Sequence, residues 1–172
     1  MTQSPVPAVA NPAMPTIEEL KEQERRLVLP AADLATLHAL GRRLYDAAVA
    51  DGLPLTVQVR LGERLVFSAS APGSAAVNEL WAARKSRVAH VFERSSLRVR
   101  LEHERDGHDV NALNGLPVDA YAAHGGAFPL RVPNVGFVGS VVVSGLPQVQ
   151  DHELVVRVLE AFLADRRGDA DR

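Results

Sequence analysis

The chain contains no cysteine, which removes disulfides, thiolate metal sites and cysteine nucleophiles at once. Aromatic residues make up only 5% of it. They are not interleaved with basic residues, so no pattern for stacking on unpaired bases is present. Neither sign of charge dominates: 19 Lys and Arg stand against 21 Asp and Glu, for a net charge of −2. That balance argues against a polybasic nucleic-acid binder. No apolar run approaches the ~20 residues a membrane-spanning helix needs, so no membrane partner is expected. The first residues lack a basic stretch followed by an apolar one, which predicts no secretory signal and a cytoplasmic protein.

What the chain does hold is apolar substance: 47% of 172 residues, enough for one domain with a substantial core. Residues 1–15 are rich in Pro and Ala without periodicity and read as a flexible tail. Thr16 and Glu19 form a T-x-x-E capping box that opens a short helix ending near Leu29-Pro30. Asp33 to Ala50 predicts a longer helix, with Leu34, Leu37, Gly41, Leu44, Tyr45 and Ala48 on one broad face. His38 falls at the edge of that face and reads as a partly buried packing residue. Leu55 to Ser70 alternates as a β-hairpin around Gly62-Glu63.

Ser74 is positioned to cap the next helix, which is expected to run to about Arg94. Val77, Leu80, Trp81, Val88, Val91 and Phe92 form its apolar face, with Arg84 in the middle. An arginine inside an apolar stripe needs a partner, a stacking surface, a pocket or a subunit interface. Asn78 and Lys85 flank it. Leu97 to Glu104 fits helix or strand equally. His103 to Asn114 is polar and reads as an exposed loop; its two histidines do not have the spacing of a helical two-histidine metal site. Ala127 to Val132 and Val135 to Val143 form a second hairpin across Pro133-Asn134. A last helix starts around Pro147 to Asp151 and runs to about Ala164. Two hairpins covered by helices make an α+β domain with an antiparallel sheet, here over residues 16–165, followed by a frayed end over 166–172.

The chemistry-bearing stretch is Asp119 to Leu154. In His124-Gly125-Gly126, paired glycines let the backbone bend and approach a ligand closely. Their N–H groups suit an anion, and the histidine suits a hydrogen bond or a metal; a tight turn entering a strand explains the same residues. Asp151 suits the positive end of the last helix as a cap. If the second hairpin returns the chain to the same edge, His124, His152 and Asp151 make a candidate divalent-metal set. Ser144 lacks the glycine two residues earlier that a nucleophile elbow requires.

The segments N-E-L-W-A-A-R-K (Asn78–Lys85), Y-A-A-H-G-G-A-F-P (Tyr121–Pro129) and V-S-G-L-P-Q-V-Q-D-H-E-L-V (Val143–Val155) resemble an uncharacterised bacterial and fungal family labelled haem-degrading-domain proteins. That family is related to the haem-binding sensor and the glycolate-operon accessory proteins. The resemblance covers roughly Thr16 to Ala164, with the three motifs in the same order. It implies a profilin-like fold, an antiparallel sheet flanked by helices, and a homo-oligomer. Joined to the residue reading, it implies one pocket or surface formed by Asn78, Trp81, Arg84, Lys85, His124, Gly125, Gly126, Asp151 and His152. There Arg84 and Lys85 would neutralise an anionic group such as a haem propionate, and Trp81 would pack on an apolar body. His124 or His152 would supply a polar or metal contact. The expectation is a small ligand-binding or assembly protein, with haem or a divalent metal as the cofactor to consider. Two other readings stand beside it: a metal- or haem-dependent enzyme, and a structural homo-oligomer that presents a protein-binding surface.

Overall fold

The computed structural model describes residues 12–170. Most of the expected N-terminal tail therefore lies outside the described residues. The chain runs α1 (Ile17–Arg26), α2 (Leu34–Ala50), β1 (Thr56–Leu61), β2 (Arg64–Ser70), α3 (Ala76–Phe92), α4 (Ser96–Arg105), α5 (Val110–Asn114), β3 (Ala127–Val132), β4 (Gly136–Ser144) and α6 (Gln148–Ala170). The four strands form one antiparallel sheet in the order β2-β1-β4-β3. Each hairpin is local, and the β1–β4 pairing joins them. This is the α+β architecture the two alternating hairpins predict.

Strand alternation divides the sheet into two unlike faces. Val57, Val59, Val141, Val143, Phe128 and Leu130 belong to the main core, together with Leu37, Leu40 and Leu44 of α2 and Val155, Leu159 and Phe162 of α6. The opposite face carries Ala127 and Val142, packed on Ala82 and Ala89 of α3. Ser140 on this face shares a 2.9 Å hydrogen bond with Ser86.

That second face corrects the expected orientation of α3. Its buried residues are Ala82, Lys85, Ser86, Val88 and Ala89. Leu80 is 66% exposed, and Val77 and Val91 are each 50% exposed. The sheet beneath offers small and polar groups, so the helix turns its small residues inward and approaches closely. The larger apolar stripe is left outside, except where Val88 packs with Val99, Val110 and Ala123. Arg84 therefore lies on a partly exposed face and not inside a core.

Other boundaries follow local chemistry. The Thr16–Glu19 capping box forms, and α1 stops at Arg26, ahead of the expected Leu29-Pro30. The ambiguous Leu97 to Glu104 segment is helical, capped by Ser95. The expected loop over His103 to Asn114 is the end of α4 followed by α5. Asp109 caps α5 by accepting from Ala112 N at 2.7 Å, and Asn114 donates to Val110 O at 2.8 Å. His38 is exposed. Phe67 takes the place against α2, where a side chain on Gly41 would meet its ring at 2.4 Å. The last helix continues to Ala170, past the Ala164 at which its apolar pattern fades.

Helix α1 is fastened by charge. Glu24, 6% exposed, accepts from Ser95 N at 2.8 Å and from Arg98 Nη1 at 2.7 Å. Arg98 also donates to Glu102 at 2.9 Å. A buried carboxylate satisfied in this way fixes the α1–α4 junction.

Candidate functional site

The three sequence motifs meet at one end of the sheet. The first half of α3 supplies Asn78, Trp81 and Lys85. The segment entering β3 supplies His124. The β4–α6 turn supplies Ser144, Gly145, Leu146 and Gln148. Together they line a cleft of about 250 Å³.

A buried ion pair lies under its floor. Lys85 Nζ donates to Asp151 Oδ2 at 2.7 Å and to Val143 O at 3.4 Å, and Asp151 has no exposed surface. Asp151 also accepts from Leu146 N at 3.0 Å and Gly145 N at 3.4 Å, so it shapes the turn that forms the cleft rim. Burial pushes the Asp151 carboxyl above its ordinary range, against the downward pull of Lys85 and the two N–H groups. Lys85 is thus committed to the protein's own carboxylate, and the anion-neutralising role expected of it does not fit this geometry.

The two glycines have a packing reason. A side chain on Gly125 would meet Gln148 O at 2.2 Å. One on Gly126, whose φ is +127°, would meet Val143 O at 2.4 Å and Lys85 Nζ at 3.0 Å. The backbone approaches its own α6 and β4 here. Gly125 N points at Gln148 Oε1, 3.4 Å away, in place of the anion its sequence context suggested. Ser96 pins the same segment: its hydroxyl donates to His124 O and accepts from Ala127 N. Sequence reasoning misses Ser96, because a Ser-Ser pair between two helical stretches signals no more than a break or a cap.

His124 stands apart from this scaffold. Its ring meets Trp81 edge-on at 5.2 Å. The Arg84 guanidinium lies 4.3 Å over the Trp81 ring and donates to Val118 O. His124 Nδ1 and Arg84 Nε are both buried and without a partner among the described residues. Burial lowers the His124 pKa, and nearby Arg100, Lys85 and Arg84 lower it further. The imidazole is therefore held neutral. On its other side lies a second cleft of about 210 Å³, where Arg84, Arg100, His108, Asn111 and Tyr121 are among the lining residues. His124 lines both clefts, and Trp81, which lines the first, packs against it; this pair is the Trp81–His124 partition.

The expected set of His124, Asp151 and His152 is not brought together. His152, the residue after Asp151 on α6, is 1% exposed and turns to α1, with Nε2 2.8 Å from Gln23 Oε1. Burial lowers its pKa to about 4. Among the described residues, no group of three or more His, Cys, Asp or Glu side chains is placed to hold a metal. The helical period explains the miss: adjacent residues diverge by about 100° on a helix, so Asp151 and His152 cannot face one site.

The family model described as "Haem degrading protein HbpS-like" matches residues 33–160. The chain belongs to the HbpS-like family. The HbpS-like segment contains all nine residues singled out above and excludes α1, which nonetheless supplies Gln23 and Glu24. A UPF0303 protein of Streptomyces coelicolor is 43% identical over 154 residues, covering 90% of this chain and 98% of the relative. One from Burkholderia thailandensis is 44% identical over 147 residues, covering 86% and 89%. Among solved structures, Ybr137w is similar with a TM-score of 0.79 at 25% identity, covering 87% of this chain and 89% of that one. A PduOC:heme complex shares the fold with a TM-score of 0.66 at 18% identity, covering 76% and 94%. HbpS does so with a TM-score of 0.63 at 19% identity, covering 77% and 89%. Among the described residues of this HbpS-like chain, no helix is long and apolar enough to cross a membrane.

Proposed function

We propose that the protein binds a small, partly apolar anionic ligand at the Trp81–His124 partition, with haem the first candidate. The observation that carries this reading is the neutral, partner-free His124 nitrogen beside a tryptophan face and an arginine. Membership of the HbpS-like family and the heme complex of a shared fold support haem in particular. The donor set suits it. His124 would offer an imidazole nitrogen, Trp81 and Leu146 an apolar contact, and Arg84 and Arg100 the charge for carboxylates. Bound haem would supply iron-centred redox chemistry; the chain's own part is to hold, orient and shield it. Clefts of about 250 and 210 Å³ fall below the ~300 Å³ lower end of ordinary ligand pockets. A macrocycle here therefore keeps an exposed edge or is closed over by a second copy of the chain.

Titration of the purified protein with haem tests the proposal. The expected result is a saturable Soret shift that His124→Ala weakens by tenfold or more, about 1.4 kcal/mol. A linear, unsaturable response, or one indifferent to both His124→Ala and Arg84→Ala, removes haem from the reading.

A second reading has its own observation. The α3 stripe of Val77, Leu80 and Val91, with 70%-exposed Val118 nearby, is an apolar face left uncovered. It fits a homo-oligomer joined through α3. Light scattering tests this: Leu80→Asp is expected to reduce the assembly, and an unchanged mass with unchanged thermal unfolding defeats it.

A further inference from the structure

A third cleft, of about 200 Å³, lies on the other flank of α3, at the β1–β2 turn. Arg60, Glu63, Ser86, Arg87, His90 and Tyr121 are among its lining residues. It shares no residue with the Asn78–Gln148 cleft.

Three features set this cleft apart. The first is charge. Arg60 donates to Glu63 O at 3.2 Å and Arg87 to Ala120 O at 3.1 Å, so each guanidinium is held by a backbone carbonyl. Neither has a carboxylate partner within 4.0 Å among the described residues. The nearby Glu63 side chain is 99% exposed and only approaches His90 Nδ1, at 4.0 Å. It stands at the rim as a displaceable counter-charge.

The second feature is a buried polar relay. His90 Nε2 lies 3.1 Å from Ser140 Oγ, which lies 2.9 Å from Ser86 Oγ. Ser140 has no exposed surface and Ser86 only 1%. When His90 donates from Nε2 to Ser140, Ser140 donates to Ser86, and the Ser86 hydroxyl is free to donate into the cleft. The third feature is fixation. Phe137 holds the His90 ring edge-on at 5.1 Å, which keeps the relay aligned. Burial, the largest influence on His90, lowers its pKa and keeps the ring neutral, so the relay carries no charge of its own.

We infer that this cleft is a second ligand site, taking a small oxyanion such as a phosphate or carboxylate group between Arg60, Arg87 and the Ser86 hydroxyl. Planar guanidinium groups match oxyanions in shape as well as charge. The site lies apart from the Asn78–Gln148 cleft and meets the Arg84–Arg100 cleft only at Tyr121.

Orthophosphate titration, followed by NMR of the histidine rings at constant ionic strength, tests it. The His90 resonances are expected to move saturably while those of His124 do not. Arg87→Gln, at an exposed position, is expected to keep the fold and weaken phosphate about tenfold, as loss of one charge-assisted hydrogen bond does. Ser86→Ala is expected to weaken it too, with a lower unfolding temperature because the buried bond to Ser140 is lost, and Arg84→Gln to leave it as in the wild type. An adventitious ion only would move all histidines together without saturation. That result, or an equal loss in Arg84→Gln, overturns the assignment.

Discussion

The Lys85 ammonium and the Asp151 carboxylate meet 2.7 Å apart in the interior, although 66 positions separate them in the chain. This pair clamps the α3 motif to the start of α6 with the His-Gly-Gly segment between them. It explains why Lys85, Gly126 and Asp151 act as scaffold for the cleft. Removing one partner strands a buried charge, which costs about 3–5 kcal/mol. Lys85→Met is therefore expected to lose about that much stability in chemical denaturation. Lys85→Met/Asp151→Asn removes both charges and keeps an acceptor for Leu146 N, so it is expected to recover part of the loss. A single variant as stable as the wild type would contradict the clamp.

Gly126 is the tightest point of the same junction. At its φ of +127°, an L side chain is strained before any contact is counted. A methyl group there would also face Val143 O at 2.4 Å, in a residue whose N–H is already bound to Gly126 O at 3.0 Å. Gly126→Ala is expected to cost about 2–4 kcal/mol, combining backbone strain and overpacking. Equilibrium unfolding measures it. A change below ~0.5 kcal/mol, the size of an ordinary surface substitution, would show that the junction can yield.

These two positions also show how far the sequence could be read. The hairpins were legible because alternation at Leu55–Val59 and a strongly apolar Val135–Val143 run leave few other structures. Convergence of Trp81, Lys85 and His124 was legible in outline. What stayed hidden was partnership. Lys85 and Asp151 both looked like ligand contacts, since nothing local to either sequence announces a pair that only tertiary folding forms. The orientation of α3 was hidden for a related reason: Val77, Leu80 and Val91 lie outside, whereas Val88 of the same stripe is buried. Its amphipathic stripe is genuine, but the sheet presents Ala127, Ser140 and Val142, and small-residue contact decided the orientation. Ser96 and Gln148 carry no signature beyond capping and turn chemistry.

His152 makes acid sensitivity specific. Its folded pKa of about 4 lies below the ordinary histidine value of 6.5 because burial disfavours the charged ring. Above pH 6.5 both folded and unfolded states hold it neutral, so it contributes nothing to pH dependence there. Between 6.5 and 4 the unfolded state binds the proton and the folded state does not. Stability therefore falls as pH falls, by up to about 1.4 kcal/mol per unit. Urea unfolding at pH 7, 6 and 5 is expected to show this slope, and His152→Gln to flatten it. Carboxylates that titrate in the lower part of the window are present in both proteins, so the difference between the two curves isolates the histidine. Parallel curves would mean that His152 opens to water through α1.

Trp81 is the chain's single tryptophan, which makes its contact with His124 directly observable. An imidazolium ring in edge contact accepts an electron from excited indole and quenches it, whereas neutral imidazole does so weakly. Emission is therefore expected to fall on acidification, with a midpoint below the ordinary histidine value, because burial and the Arg100, Lys85 and Arg84 charges oppose protonation of His124. Arg100→Gln removes the largest of those charge effects and is expected to move the midpoint upward. His124→Gln is expected to abolish the transition. A ligand seated at the partition would change the same emission, so Trp81 also reports occupancy without an added label. A midpoint at or above 6.5 would mean that His124 is solvated and that the partition is open, which would remove the neutral nitrogen on which ligand binding here depends.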